Sequence, residues 1–171
     1  HKRNIELTSK MRAITHSLKH ELQHCRLVWQ QPSDPLFITA DPDHLKTALT
    51  NIILNALEAM ENLPQEHLIS TTTMSQAEIS DLRFEPAGFS PVAESYAVIS
   101  VMDKGEGIPK EIQGSLCDPF FTTRFLGRGM GLAECRGIMK NHDGALSIDS
   151  IPHKGTRVSL YFPQNLLSRD S

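Results

Sequence analysis

The chain has 171 residues, of which 39% are hydrophobic and 22% charged, with a net charge of -3 at pH 7. That length suits one domain with a substantial core, and so even a charge balance gives no overall electrostatic drive toward nucleic acid or an anionic membrane. The three cysteines, Cys25, Cys117 and Cys135, form no C-x-x-C pair for zinc or redox work, which fits a reducing, cytoplasmic setting, and no apolar run reaches the roughly 18 residues of a membrane span.

HKRNIELTSK at the start lacks a signal-peptide core, and so abrupt a beginning predicts a piece of a longer protein. From Arg3 to His24, Ile5, Leu7, Met11, Ile14, Leu18 and Leu22 recur at steps of mostly three or four, the signature of an amphipathic helix. Cys25 to Gln30 and Leu36 to Thr39 are short β-prone runs around QPSDP, expected to form one hairpin or a strand and its continuation. Asp41 is a good N-cap and Pro42 suits the first helical position, so a helix is predicted from Pro42 to Met60, closed by Pro64. Leu45, Leu49, Ile52, Ile53, Ala56, Leu57 and Met60 supply its apolar face. Asn51 and Asn55 stack one turn apart on one side, with Glu58 a further turn on and close to that face. Asparagine is a mediocre helix former, so two of them inside so apolar a helix lack an obvious structural return.

His67 to Met74 and Tyr96 to Met102 read as antiparallel strands. The connection between them, 76–95, is too long for a tight hairpin and rich in Pro, Gly and Ser, which predicts an elaborated and partly disordered surface segment. A glycine-framed stretch from Gly105 to Gly131 follows, then a helix from Met130 to Lys140, and a closing hairpin of Ala145 to Ser150 and Thr156 to Phe162. The tail QNLLSRDS is expected to fray. One domain is therefore expected over 1–171, with its core at about 3–163.

Three islands carry the chemistry: N51-x-x-x-N55 on a helix, D103-x-G105-x-G107 after a strand, and G127-x-G129-x-G131 leading into a helix. Glycine-exposed N–H groups at a helix N-terminus suit phosphates. The Asn55 carbonyl is a hard oxygen suited to Mg2+, and Asp103 at a strand end can accept a hydrogen bond from an exocyclic amine. G-x-x-x-x-G-K-[ST] is absent, and the first glycine turn runs into Ile108-Pro109 rather than a helix start, so neither a Walker site nor a dinucleotide fingerprint is present.

The chain resembles the ATP-binding catalytic domain of sensor histidine kinases, in the GHKL superfamily. ADPDHLKTALTNIILNALEAM is similar to that family's N box, DKGEGIP to its G1 box, DPFFTT to its F box, GRGMGLA to its G2 box and KGTRVSLYFP to its closing strand, in order over about residues 3 to 163. The resemblance implies an α/β two-layer sandwich, with helices on one face of a mixed, mostly antiparallel sheet and ATP between the helices and a lid. It implies Asn55 as Mg2+ ligand, Asn51 beside the phosphates, Asp103 as adenine reader, Gly105, Gly107 and Ile108 around the base, and Thr156 supporting adenine through its hydroxyl and a water. Gly127, Gly129, Met130, Gly131 and Leu132 would bring backbone to the phosphates, and Phe120, Phe121, Thr122, Thr123 and Arg124 would belong to the lid. The short lid between Pro109 and Gly127 resembles nitrogen-regulator-type kinases.

The implied activity is transfer of the ATP γ-phosphate to a histidine on a dimerisation domain of the same protein, with a response regulator downstream. A nucleotide-sensing docking module without catalysis, a GHKL-type ATPase and a protein serine kinase are the alternatives. ATPase branches place a glutamate at position 51, and Asn there favours transfer over hydrolysis. His20-Glu21-Leu22 looks like the start of an acceptor box, but HELQHC does not lead to a proline, and the twenty-odd residues before the N box leave no room for a helical hairpin. His20 is read as an ordinary position on the first helix.

Overall fold

In the computed structural model, which describes residues 1–59, 66–105, 107–115 and 131–164, the chain runs β1 (Arg3–Glu6), α1 (Leu7–Ser17), β2 (Arg26–Gln30), β3 (Phe37–Ala40), α2 (Pro42–Ala59), β4 (Glu66–Ser75), α3 (Gln76–Ile79), β5 (Ser95–Asp103), a 3-10 turn (Lys110–Ser115), α4 (Gly131–Asn141), β6 (Ala145–Ile151) and β7 (Gly155–Pro163). α2 starts where its signals place it. Asp41 Oδ1 accepts from the Asp43 and His44 N–H groups at 2.9 and 3.3 Å, satisfying two orphan donors of the first turn, and the N–H that Pro42 lacks would have had no helical partner. Leu45, Ala48, Leu49, Ile52, Ile53 and Ala56 are all buried, each large aliphatic among them stabilising the fold by about 1.5–3 kcal/mol.

Five strands form the main sheet in the order β2-β4-β5-β7-β6. Only β2 and β4 run parallel; the other neighbours are antiparallel. One face carries Trp29, Ile69, Ala97, Ile99, Val101, Leu146, Val158, Leu160 and Phe162 into a continuous core with α1, α2 and α4. This is the two-layer α/β sandwich expected, with its principal helices on one face. Among the described residues no helix is long and apolar enough to cross a membrane.

Two expectations for the first forty residues give way. The first helix does not span Arg3 to His24: β1 pairs antiparallel with β3, from Arg3 opposite Ala40 to Glu6 opposite Phe37. α1 begins at Leu7, with the Glu6 carboxylate accepting from Ser9 N at 2.6 Å. Leu18 and Leu22 are buried from the turn that follows, so their helical spacing reflects packing on a shared surface rather than one continuous helix. His20 accordingly lies in that exposed turn, past the end of α1. Nor do β2 and β3 form a hairpin or a single strand. β2 lies beside β4 and β3 beside β1, each partner distant in sequence and invisible to local propensity.

The 76–95 connection is a packed cover for the second face of the sheet rather than a loose loop. Ser75 and Glu78 form a capping box at α3, and Ile79 and Phe84 bury themselves with Tyr96, Val98, Ala145 and Tyr161, Phe89 packing alongside. The ring of Phe84 stands edge-on to those of Phe89 and Tyr161, both at 5.1 Å. Glu85 exchanges backbone hydrogen bonds with Leu146 at 2.8 and 2.9 Å, shielding part of the β6 edge.

His142 ties α4 to the start of α2. Its Nδ1–H donates to Ile138 O at 2.8 Å while Nε2 accepts from Asp41 N at 3.1 Å, an arrangement that fixes a neutral imidazole. Burial holds its pKa below the ordinary 6.5, and Lys2 and His44 act the same way, outweighing the Ile138 carbonyl and Asp41. The folded state therefore binds this proton less readily than the unfolded chain. The stability contributed is present above the unfolded pKa and is lost as pH falls through the folded one. The melting temperature should drop between pH 7 and 5, and His142→Gln should flatten that slope. An unchanged slope in the variant would assign the acid sensitivity to other groups.

Candidate functional site

Alternation along three adjacent strands sends apolar side chains inward until one end, where each strand turns polar. β5 runs Ala97, Ile99, Val101, then Asp103; β7 reads backward Phe162, Leu160, Val158, then Thr156; β6 runs Leu146, Ile148, then Ser150. The register places Asp103 opposite Thr156 and Thr156 opposite Ser150. The core thus ends in a polar row, and Asp103 and Thr156 in it are only 5% and 7% exposed.

The Asp103 carboxylate accepts from Gly105 N at 2.8 Å and from the Thr156 backbone N–H. Burial raises its pKa above the ordinary 3.8 despite those two hydrogen bonds, which pull the other way. A carboxylate retained there against a desolvation cost, with lone pairs to spare, suits a ligand that donates to it. Beyond it the chain turns at Gly107, whose φ is +72° and where an added Cβ would lie 2.2 Å from Ile151 O. Both the dihedral and the space demand glycine. Ile108 is fully buried; its N–H donates to Ser150 Oγ at 2.7 Å and its carbonyl accepts from Gln113 Nε2 at 2.9 Å.

The second group lies between α2 and the N-terminus of α4. Asn51 and Asn55 are 8% and 4% exposed. Asn51 Nδ2 donates to Glu134 Oε1 at 3.2 Å and, at 3.5 Å, to Gly131 O. Both amide atoms of Asn55 are buried without a hydrogen-bond partner among the described residues. An added Cβ on Gly131 would stand 3.2 Å from Asn55 Nδ2, so a side chain there would press on the Asn55 amide where α4 begins against α2. The burial of an unpartnered amide costs about 1–3 kcal/mol, and its carbonyl oxygen is a ligand of the kind Mg2+ takes. The donor set therefore fits that ion.

Asp103, Gly105, Gly107, Ile108 and Thr156 are thus gathered at the sheet end, and Asn51, Asn55 and Gly131 between the helices. The Leu132 side chain belongs to the core. Glu58 is exposed on α2. Phe120, Phe121, Thr122, Thr123, Arg124, Gly127, Gly129 and Met130 lie outside the described residues. Sequence reasoning missed Ser150 and Glu134. Ser150 announces itself as a hydroxyl at an inward position of an alternating strand, whereas the link between Glu134 and Asn51 spans 83 residues and has no local signal.

The principal helices α1, α2 and α4 thus pack on one face of a mixed sheet, over a core whose end holds a buried carboxylate. The chain belongs to the family described as histidine kinase-, DNA gyrase B- and HSP90-like ATPases, which it matches over residues 40–166. It is 31% identical over 131 residues to Sporulation kinase A of Bacillus subtilis, covering 77% of this chain and 18% of that protein. It is 33% identical over 133 residues to the sensor histidine kinase ZraS of Escherichia coli K12, covering 78% and 24%. With the sensory histidine kinase/phosphatase NtrB of Klebsiella oxytoca it shares 33% over 123 residues, covering 72% and 32%. The chain therefore spans a third or less of the length of these relatives. The nucleotide-free catalytic domain of histidine kinase ThkA superimposes with a TM-score of 0.72 at 22% identity over 96% of both chains. The mycobacterial sensor histidine kinase MprB gives 0.72 at 18% identity over 96% of this chain and 99% of its own; both likenesses speak to the fold.

Proposed function

We propose that this chain, over 1–171, is the catalytic domain of a sensor histidine kinase, which binds Mg2+-ATP and transfers the γ-phosphate to a histidine on a dimerisation domain of the same protein. A response regulator would then take the phosphate. The observation that carries the reading is the Asn55 amide, buried on α2 beside the N-terminus of α4 and without a hydrogen-bond partner among the described residues, on a domain whose sheet end holds a second buried polar residue, Asp103. The names of the curated relatives, sensor histidine kinases and sporulation kinases, point the same way. ATP being an intracellular substrate, the domain would work in the cytoplasm.

In this reading Asp103 accepts from the adenine amine, with Gly105 and Thr156 N–H groups holding the carboxylate still. Gly107 and Ile108 shape the wall beside the base, and Thr156 offers its hydroxyl to the ring. Asn55 would hold Mg2+, which when bound neutralises charge on the phosphates. Asn51, its amide nitrogen engaged by Glu134 and Gly131, would stand beside the phosphates. The attacking group is an imidazole nitrogen of the partner domain; as it bonds to the γ-phosphorus, the bond to the bridging oxygen breaks and ADP leaves.

Calorimetric titration of ATP with and without Mg2+, followed by mixing with a separately prepared acceptor-histidine domain and labelled ATP, tests the proposal. Expected are Mg2+-dependent binding, no self-labelling, and label on the acceptor that is stable to base and labile to acid. Steady release of free phosphate without acceptor, label on serine, or strong labelling of the exposed His20 would each overturn it.

A further inference from the structure

The polar row contains one member to which the proposed function gives no task. Ser150 sits on β6 across from Thr156, and its hydroxyl is the meeting point of three groups: Ile108 N–H at 2.7 Å, Thr156 Oγ1 at 3.0 Å and Gly155 O at 3.2 Å. A serine hydroxyl has one proton and two lone pairs. Ile108 N–H is an obligatory donor and takes one lone pair. The serine proton then has two destinations. If it goes to Gly155 O, Thr156 must donate into the remaining lone pair of Ser150, and its hydroxyl shows a ligand only lone pairs. If it goes to Thr156 Oγ1, the Thr156 proton is released toward the space beside Asp103.

We propose that Ser150 is a positioning residue for base recognition, holding the Thr156 hydroxyl in register with Asp103 and turning it into a donor through the one-way relay Ile108 N–H to Ser150 to Thr156. This rests on the reading of the site as an ATP site. An adenine edge presents an amine donor next to a ring-nitrogen acceptor, N1, so it needs an acceptor beside a donor in the protein. Asp103 is the acceptor; the relay makes Thr156, directly or through a bridging water, the donor. Hydrogen bonds that run in one direction polarise one another and strengthen, and the relay starts from a backbone N–H, whose direction cannot reverse. A guanine edge, with a carbonyl next to an N1–H, would meet the wrong partner at both positions. Ser150 also fastens the Gly107 turn to β6, so the wall of the base site and the hydroxyl that reads it are set by one atom.

The test compares ATP with 1-deaza-ATP, in which N1 is replaced by C–H, by calorimetry on the parent chain and on Ser150→Ala, Ser150→Cys and Ser150→Thr. Loss of the relay should weaken ATP binding about tenfold in Ser150→Ala, while 1-deaza-ATP, already deprived of the acceptor, should bind parent and variant within about twofold of each other. Ser150→Thr, which keeps the hydroxyl, should restore ATP affinity. Ser150→Cys keeps the shape with a poor donor and serves in the same comparison should Ser150→Ala fail to fold. Equal losses for ATP and 1-deaza-ATP, or no loss for either, would overturn the relay while leaving the ATP site standing. Failure of the parent to bind ATP would instead overturn the ATP reading.

Discussion

Asp103→Asn is expected to raise the melting temperature of the nucleotide-free domain at pH 7 and, in the same protein, to weaken ATP binding by about 100-fold or more. The two effects share one cause. Asp103 is almost fully buried, and burial lifts its pKa above the ordinary 3.8 although Gly105 and Thr156 N–H groups bond to it. A native pKa above the unfolded one means that the folded state holds the proton more tightly. The stability this group contributes is therefore present below the unfolded pKa and is lost as pH rises through the folded one. At pH 7 the ionised carboxylate is a burden on the fold. Asparagine removes the charge and keeps an oxygen for Gly105 N, so the variant should be more stable, and its stability should vary less with pH in the acid range. For the ligand the exchange is adverse: a charge-assisted bond to the amine is lost, and an NH2 group can face another NH2 group.

The parent should show the matching pH dependence in binding, with ATP affinity falling as the carboxyl takes up its proton, at a pH above that of an ordinary aspartate. Thermal melts and calorimetry on one preparation separate the outcomes. A variant that melts lower than the parent and binds ATP normally would make Asp103 a structural residue that caps the turn at Gly105, and the site would have to be sought elsewhere.

The sequence revealed most where a signal was local or the chemistry left no alternative. α2 could be read because Asp41-Pro42 marks its start and a long apolar face fixes its phase, and both asparagines follow from that phase. β5 could be read as a β-branched run and β6 and β7 from alternation, and once paired they bring Asp103 and Thr156 into one row. What stayed hidden depends on partners distant in the chain. Nothing in Arg3–Glu6 says that it will pair with Phe37–Ala40, and four residues are too few to distinguish a strand from the first turn of the helix it precedes. The 76–95 segment has a loop's composition, and its anchors, Ile79, Phe84 and Phe89, find their partners on the far face of the sheet. Ser150 and Glu134 belong to the same class: each is an unremarkable polar residue until the fold sets it against Thr156 or Asn51. Residues that act in pairs across elements are legible only after the register is known.

Asn55→Ala provides the second large effect and the sharpest separation of stability from function. Asn55 is buried with neither amide atom bonded among the described residues, a loss of about 1–3 kcal/mol per stranded group relative to a satisfied one. Alanine removes both stranded atoms and is the better helix former by up to about 0.7 kcal/mol, against which stands the small void left by the amide. The nucleotide-free variant should therefore be as stable as the parent or more so, an unusual result for a buried position in the middle of a long helix. Mg2+-dependent ATP binding should behave in the opposite way. In the parent, Mg2+ should raise ATP affinity; in Asn55→Ala that gain should shrink by at least about tenfold, because the ligand proposed to hold the ion would be gone, while ATP binding in the presence of EDTA should change little. The base contacts proposed for Asp103 and Thr156 would be untouched, so a residual metal-independent affinity is expected, together with loss of phosphotransfer in the full-length protein. If the variant instead lost stability sharply and kept its response to Mg2+, the amide would be a structural element of the α2–α4 contact, and the ion would have to be held elsewhere. Gly131 ties the two results together: a Cβ built there would stand 3.2 Å from Asn55 Nδ2, so α4 approaches closely enough to help bury an amide that no described residue bonds, and Asn55→Ala tests stability and Mg2+ response at that one contact.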